Sequence, residues 1–251
     1  PTIASGTVID VELFEQLAAI EALQAGKEVD WLTDLTIDVV DTAENLSALF
    51  ITTDSDVSDS LRHIDSISNE SGSEASLTIS WESYRDAIGI DTIAGDGSFT
   101  TVDGGTTFPS NHPFLNLSDN NISLEVYGSA SDLEDLITIY GETLSDLDDG
   151  INFRITDGAE LSLTEDQLDV LEGRIIGVVD VVDDSSGVAE LLDNAIPDNV
   201  KQISVEDSGT LELTVSQFRN LPDYYSETVN IIDTEDNIVN ALLYDRFDER
   251  V

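Results

Sequence analysis

The chain has 251 residues, of which 53 are Asp or Glu and only 9 are Lys or Arg, so that its formal net charge is −44. A chain with this charge cannot neutralise phosphates, which excludes nucleic acids and anionic membrane surfaces as partners. Hydrophobic residues make up 40% of the chain, enough to order a core, and no apolar run is long enough for insertion into a membrane.

Cys and Met are both absent, which excludes disulfides, thiolate metal sites and cysteine nucleophiles. Since the chain begins Pro1-Thr2-Ile3 without an initiator, we expect that it was processed or cut from a longer precursor. The excess of acids suits a saline or calcium-rich medium, where cations screen the carboxylates. We therefore expect a secreted or cell-surface location, with a halophilic cytosol as the alternative.

One sequence phrase consists of an alternating apolar strand, an acidic turn and a short helix. It occurs at 35–46, 122–133, 179–188 and 229–238. Apolar residues at every second position, such as Ile37 and Val39, predict a strand with one buried face. Asp or Thr in the turn, such as Asp41 and Thr42, predicts a cap for the first N–H groups of the helix.

A second phrase consists of a strand, a turn of the Asp-Gly type and a helix that begins after Leu-Thr. It occurs at 153–168 and 203–218, more loosely at 64–81, and as its back half alone at 9–17. Thr164 with Gln167, and Thr214 with Gln217, have the spacing of a capping box.

The two phrases alternate with a combined period of roughly 50 to 55 residues. Their helices are too short to be stable alone, so each strand–helix unit must bury its apolar side against its neighbours. The sequence therefore predicts an α/β repeat fold, β-rich with short helices, in which strand–helix units stack as a βα solenoid.

Residues 89–121 interrupt this pattern with several Gly and Pro residues and few apolar ones. We expect a linker or an excursion loop there. It separates an N-terminal repeat block at 1–88 from a C-terminal repeat block at 122–251.

The motif D-T-A-x-N-L at 41–46 and the motif L-T-x-x-Q at 163–167 and 213–217 resemble repeat regions of large secreted bacterial surface proteins. These include surface-layer-like proteins, haemolysin-type calcium-binding exoproteins and adhesins. The resemblance implies export, dependence on calcium and a role in scaffolding or adhesion. The glycine-rich nonapeptide array of that group has only short counterparts here, at 95–97 and 103–105.

Recurring acids in the turns are candidate calcium ligands, because calcium prefers six to eight oxygen ligands. Asp41, Asp183 and Asp233 follow one kind of strand, and Asp157 and Asp207 follow the other. In a stacked repeat each set forms a ladder of carboxylates, which is unfavourable unless cations bridge it or the acids cap helices. Calcium binding and helix capping both remain open from the sequence.

Catalytic motifs are missing. His63 and His112 are the only histidines, and neither belongs to a nucleophile or zinc motif. Pairs of carboxylates arise by chance among so many acids, so that they give no indication of hydrolysis. We expect a protein that is not an enzyme, with an enzyme from a halophile as the opposing hypothesis.

The chain starts with the back half of one repeat, at 9–17, and stops with the front half of another, at 229–251. Uncapped repeat ends expose apolar surface and strand edges that recruit another chain. The sequence thus predicts a calcium-stabilised extracellular subunit that assembles with itself, head to tail, into a surface layer, filament or matrix. The alternative is a calcium-dependent adhesin module that binds a surface or glycan through 89–121.

Overall fold

The structure, a computed structural model, describes residues 7–24, 37–51, 57, 60–93, 99–101, 112–114, 116–141, 147–171, 173–206, 210–225 and 228–244. In these ranges the chain has a mixed α/β fold with mostly parallel sheets and eight α-helices, which confirms the α/β class. None of these helices combines the length and the apolar composition needed to cross a bilayer. The chain forms two compact units, Pro1–Thr156 and Asp157–Val251.

Among the described residues, the first unit contains eight strands and four α-helices. In chain order these are β1 (Thr7–Ile9), α1 (Val11–Gln24), β2 (Ile37–Asp41), α2 (Ala43–Phe50), β3 (Ile64–Asn69), β4 (Ala75–Ser80), α3 (Trp81–Ala87), β5 (Ile90–Ile93), β6 (Phe99–Thr101), β7 (Ile122–Gly128), α4 (Ala130–Tyr140) and β8 (Ile151–Ile155).

Two parallel sheets organise the first unit. In one sheet β2 lies between β1 and β3, and in the other β7 lies between β4 and β8. Strands β5 and β6 pair antiparallel and belong to the expected 89–121 excursion, much of which lies outside the described residues. The strands on either side of the excursion, β4 and β7, pair from Ala75↔Ile122 to Ser80↔Tyr127. The division into 1–88 and 122–251 stays a prediction.

The second unit continues with short strands and helices. In chain order these are β9 (Glu160–Leu163), α5 (Glu165–Val170), β10 (Ile175–Ile176), β11 (Val178–Asp183), α6 (Ser185–Leu191), β12 (Val200–Val205), β13 (Leu211–Leu213), α7 (Val215–Asn220), β14 (Val229–Ile231) and α8 (Glu235–Tyr244). Strand β11 pairs in parallel with β9 and β12, and β13 pairs in parallel with β14.

Strands β2, β4 and β7 have the predicted alternation of buried and more exposed residues, whereas β3, β11 and β12 depart from it. In β2, Ile37 and Val39 are buried whereas Asp38 and Val40 are half-buried. Helix residues at helical spacing complete the core, as Leu46 and Leu49 do in α2. Each sheet therefore keeps a row of polar side chains on its other face.

Side-chain caps begin most of the helices, as the sequence predicts. Thr42 accepts the N–H of Asn45, and Thr164 and Thr214 form complete capping boxes with Gln167 and Gln217. These bonds satisfy N–H groups of the first turn that have no partner within the helix. The predicted capping boxes are confirmed.

Glycines in left-handed conformation form two of the turns that lead from one sheet strand to the next. Gly72, between β3 and β4, has φ +63°, and Gly158, between β8 and β9, has φ +71°. A side chain would strain the backbone at these angles, which explains the Asp157-Gly158 turn read from the sequence.

An aromatic cluster fills the core of the first unit. The rings of Tyr84 and Phe114 stack with centroids 4.9 Å apart, and Phe50 packs 5.1 Å from Phe114. The Tyr84 and Tyr140 hydroxyls share a hydrogen bond of 2.6 Å. His112 is buried beside Phe114 and its Nδ1 accepts the Phe114 N–H, while burial lowers the pKa of His112 to about 4. This histidine is therefore neutral and part of the core at pH 7.

Leu124→Ala is expected to destabilise the first unit by about 2 to 5 kcal/mol, because Leu124 is fully buried on β7, which is paired on both sides. Chemical denaturation followed by circular dichroism measures the change. Ser76→Ala, on the exposed face of the neighbouring β4, is the control and should change stability by less than about 0.5 kcal/mol. Equal stability of both variants would contradict the assigned burial.

Candidate functional site at the strand ends

Asp41, a predicted metal ligand, lies at the end of β2 and binds the first turns of two helices. Its Oδ1 accepts the Thr42 N–H at 2.7 Å and the Asn45 side-chain amide at 2.7 Å, at the start of α2. Its Oδ2 accepts the N–H of Val11, the first residue of α1, at 3.0 Å. One carboxylate thus joins the N-termini of two helices to the strand between them.

Asp233 repeats this arrangement at the end of the chain. Its Oδ1 accepts the Thr234 N–H and the Asn237 amide at 2.7 and 2.8 Å, and its Oδ2 accepts the N–H of Val215 at 3.0 Å. Val215 is the first residue of α7, as Val11 is of α1. The two sites have the same donors in the same order.

Asp183, at the end of β11, makes two of these bonds. Its Oδ2 accepts the N–H of Glu165, the first residue of α5, at 2.8 Å, and its Oδ1 accepts the Asp184 N–H at 2.7 Å. The fourth residue after Asp183 is Gly187, where the other two sites have Asn. A Cβ at Gly187 would lie 2.4 Å from Asp183 Cγ. In the geometry of this site a side chain at position 187 would clash with the Asp183 carboxylate.

Gly128 takes the place of the aspartate at the end of β7, and an acid appears four residues later. Asp132 accepts the Ser129 N–H at 2.8 Å and the Ser129 hydroxyl at 2.7 Å in a capping box. A Cβ at Gly128 would lie 3.0 Å from Asp132 Cβ and 3.1 Å from Trp81 Cβ. At this site the carboxylate therefore belongs to the helix and not to the strand end, and Gly128 provides the space for it.

The backbone carbonyl of the strand-end residue also has a recurring partner. It accepts the N–H of the residue that follows the neighbouring strand, which is β3, β8 or β12. The bonds run from Glu70 to Asp41 at 2.9 Å, from Thr156 to Gly128 at 2.9 Å, and from Glu206 to Asp183 at 2.8 Å. The strand-end residue therefore connects a strand, its neighbouring strand and the helix N-termini.

The electrostatics follow from these bonds. At Asp41 burial raises the pKa, but the hydrogen bonds from Thr42, Val11 and Asn45 outweigh it and leave the pKa below its ordinary value. At Asp233 the bonds from Asn237, Thr234 and Val215 lower the pKa. Both groups are carboxylates at neutral pH, at the positive ends of helix dipoles.

Calcium at these positions would compete with the N–H donors, because both oxygens of Asp41, Asp183 and Asp233 already accept hydrogen bonds. Among the described residues, no three His, Cys, Asp or Glu side chains are grouped as metal ligands. Asp157 lies in an exposed turn and accepts the Ala159 N–H at 3.1 Å. Asp207 lies outside the described residues. Helix capping is confirmed for the first three, and calcium binding at all five stays a prediction.

A second set of acids, which the sequence analysis did not single out, lies on the polar faces of the sheets. Asp38, Glu125 and Asp180 each stand three residues before the strand-end residue of a middle strand. Asp38 accepts the Ser66 hydroxyl at 2.5 Å, and Glu125 accepts two bonds from Arg154 at 2.9 and 2.6 Å. The constant offset from Asp41, Gly128 and Asp183 is the sequence signal for this set.

A cavity of about 290 Å³ lies in the second unit, between α5 and α6. Its lining includes Glu165, Asp169 and Asn194 among apolar side chains. Burial raises the pKa of Glu165, and the charges of Glu190, Asp166, Asp169 and Asp183 raise it further. The cavity is acidic, and its lining offers carboxylates rather than a nucleophile with a base.

Comparison of the chain with models of known protein families, with curated proteins and with solved structures finds no match.

Asp41→Ala is expected to destabilise the protein by about 2 to 3 kcal/mol, since three N–H donors lose a charged acceptor. Because the folded-state pKa of Asp41 is lowered, its contribution is complete above the unfolded pKa and disappears as the pH falls through the folded value. Denaturation of both proteins at pH 7 and at pH values below about 4 should show the difference shrinking.

Asp157→Ala serves as the control for Asp41→Ala and should cost at most about 1 kcal/mol, because Asp157 lies in an exposed turn. A pH-independent difference between wild type and Asp41→Ala would contradict the assigned role of the Asp41 charge.

Gly187→Ala is expected to destabilise the second unit by about 1 to 3 kcal/mol, although alanine is the better helix former, because its Cβ displaces the Asp183 carboxylate. Ser186→Ala, an exposed neighbour in the same helix, should be close to neutral. The double variant Asp183→Gly/Gly187→Asp copies the Gly128 and Asp132 arrangement. It should be more stable than Gly187→Asp alone, as measured by thermal unfolding. The opposite order would contradict the claim that the carboxylate can move to position 187 when position 183 is glycine.

Proposed function

We propose that the protein is a structural subunit of an extracellular layer, filament or matrix, in which copies assemble head to tail through their first and last strand–helix units. In this proposal the parallel sheets are parts of a stacked βα array. Calcium stabilises the assembly by screening the acidic surface.

The distribution of exposed apolar side chains carries this proposal. Of the ten large hydrophobic side chains that are exposed among the described residues, six lie in the β1–α1 unit (7–24) or the β14–α8 unit (229–244). These six are Val8, Leu13, Ile20, Ile232, Val239 and Leu242. Val8 is 62% exposed and Leu242 is 64% exposed. Apolar surface concentrated in two places favours a contact between two proteins.

The sheet edges support the same contact. Among the described strands, β1 pairs only with β2, and β14 pairs only with β13. The Ile232 N–H donates to the Leu213 carbonyl, so that alternation directs the Ile231 N–H to the opposite edge. Addition of β1 from one copy beside β14 of the next would continue a parallel sheet from chain to chain.

Such a contact uses two different surfaces and therefore propagates rather than closing at a dimer. The area around α1 and the area around α8 would cover each other's apolar residues. The resemblance of 41–46 to repeat regions of secreted bacterial surface proteins supports a scaffold outside the cell.

The charge of −44 opposes assembly, because each copy repels the next. Basic residues number only 9, so that the chain itself cannot neutralise the acids. Divalent cations reduce this repulsion by screening and by binding between carboxylates. Calcium is the cation that the proposal names.

Leu242→Lys is expected to weaken assembly and to raise the critical concentration about tenfold or more. The reason is that a charge replaces an apolar contact at the α8 surface. Ile231→Pro, which removes the outward N–H of β14, should have the same effect. Sedimentation velocity and negative-stain electron microscopy, in EDTA and in millimolar calcium, measure the assembly.

Ile51→Lys is the matched control, since Ile51 is an exposed apolar residue that belongs to neither terminal unit. It should assemble like the wild type. Circular dichroism shows whether each variant is folded. A wild-type chain that stays monomeric in both conditions would overturn the proposal, and so would equal assembly by Leu242→Lys and Ile231→Pro.

A further inference from the structure

A row of oxygen-bearing side chains crosses the polar face of the sheet formed by β9, β11 and β12. The register places Ser162 and Gln202 directly beside Asp180, one on each neighbouring strand. Glu160 lies two residues before Ser162 on the same face of β9 and is exposed. Two carboxylates, a hydroxyl and an amide carbonyl offer about six oxygens in this row.

Asp180 is an exception among the acids of the polar faces. It is only 8% exposed, and its Oδ1 is shielded from solvent without a hydrogen-bond partner among the described residues. Asp38 and Glu125, at the same offset in their strands, have a hydroxyl and a guanidinium as donors. A buried carboxylate oxygen without a donor is costly, so that either a proton or a cation is needed to stabilise Asp180.

Glu160 makes the buried Asp180 carboxylate still less favourable. Burial raises the pKa of Asp180, and the neighbouring Glu160 carboxylate raises it further. Two carboxylates this close need either a shared proton or a cation between them. The exposed Glu160 leaves the pair open to an ion from solvent.

Tyr224 is hydrogen-bonded to β12, the strand beside Asp180. Its hydroxyl donates to the Val200 carbonyl at 3.4 Å, on the strand next to Asp180. Burial raises the pKa of Tyr224, and the charge of Asp180 raises it as well. A tyrosine near a cation site can transfer excitation energy to a bound lanthanide.

We propose that the Asp180 and Glu160 carboxylates bind one hard divalent cation, best matched by calcium, on the polar face of the β9–β11–β12 sheet. Oxygen donors alone, in an irregular set of about six, suit calcium better than the transition metals that favour nitrogen or sulfur. The site differs from the strand-end aspartates, whose oxygens face N–H groups. It also does not depend on self-assembly, because all its residues belong to one chain.

The test uses the full chain with Leu242→Lys, which keeps assembly out of the measurement. Calorimetric titration with CaCl₂ is compared for this parent and for added Asp180→Asn, Glu160→Gln or Glu212→Gln. The first two substitutions should each raise the calcium dissociation constant about tenfold or more, since a charged ligand is lost. Glu212→Gln removes the same charge on the exposed face of β13 and should leave the constant unchanged.

Thermal unfolding distinguishes a cation site from a general charge effect. In EDTA, Asp180→Asn should unfold at a higher temperature than the parent, because it relieves the carboxylate pair. In calcium both proteins should gain stability through screening, and the parent should gain more than Asp180→Asn because it alone keeps the complete site. Terbium luminescence excited through tyrosine should rise on binding and fall in Tyr224→Leu.

Equal weakening of calcium binding by Glu212→Gln and Asp180→Asn would contradict the proposed site. It would show that calcium binding depends on the surface charge in general and not on Asp180 and Glu160. Absence of saturable calcium binding by the parent would also overturn it and would point to a proton shared between Asp180 and Glu160. Neither result bears on assembly, because all residues of the site belong to one chain and the parent carries the substitution that is expected to weaken assembly.

Discussion

A carboxylate that accepts N–H groups from two helices at once fixes where both helices begin relative to the strand between them. Asp41, Asp183 and Asp233 do this, and the backbone carbonyls of Asp41 and Asp183 hold the next strand as well. The N-termini of helices carry partial positive charge, so that an acid is stabilised there without a basic residue. In a chain with so few Lys and Arg, this interaction replaces the ion pairs that other proteins use.

The same constraint explains the glycines that accompany the aspartates. Gly187 leaves space for the Asp183 carboxylate, and Gly128 leaves space for Asp132 when the acid sits on the helix instead. At these two sites one position is glycine because the other carries the carboxylate, whereas Asp41 and Asp233 have an Asn partner that donates to them. A fold can therefore keep the contact while either position varies, provided that the other compensates.

The remaining acids face solvent or the polar sides of the sheets, where their effect depends on what lies opposite. Arg154 neutralises Glu125 and a hydroxyl supports Asp38, whereas Asp180 faces another carboxylate. The apolar residues show a corresponding contrast, because most are buried while the first and last strand–helix units keep several exposed. The proposed cation site follows from the position of Asp180 beside Glu160. The proposed assembly contact follows from the exposed apolar residues and sheet edges of the first and last strand–helix units.

The sequence by itself determined the strands, the short helices and their caps, because alternation, capping boxes and turn glycines act over a few residues. Thr164 with Gln167 and Gly158 are examples. It also singled out Asp41, Asp183 and Asp233, but not their partners, since Val11, Glu165 and Val215 lie 18 or more residues away along the chain. Which strand pairs with which, and hence that Asp180 meets Ser162 and Gln202, was decided only by the tertiary structure. Parallel pairing joins distant segments, and no local pattern encodes its register.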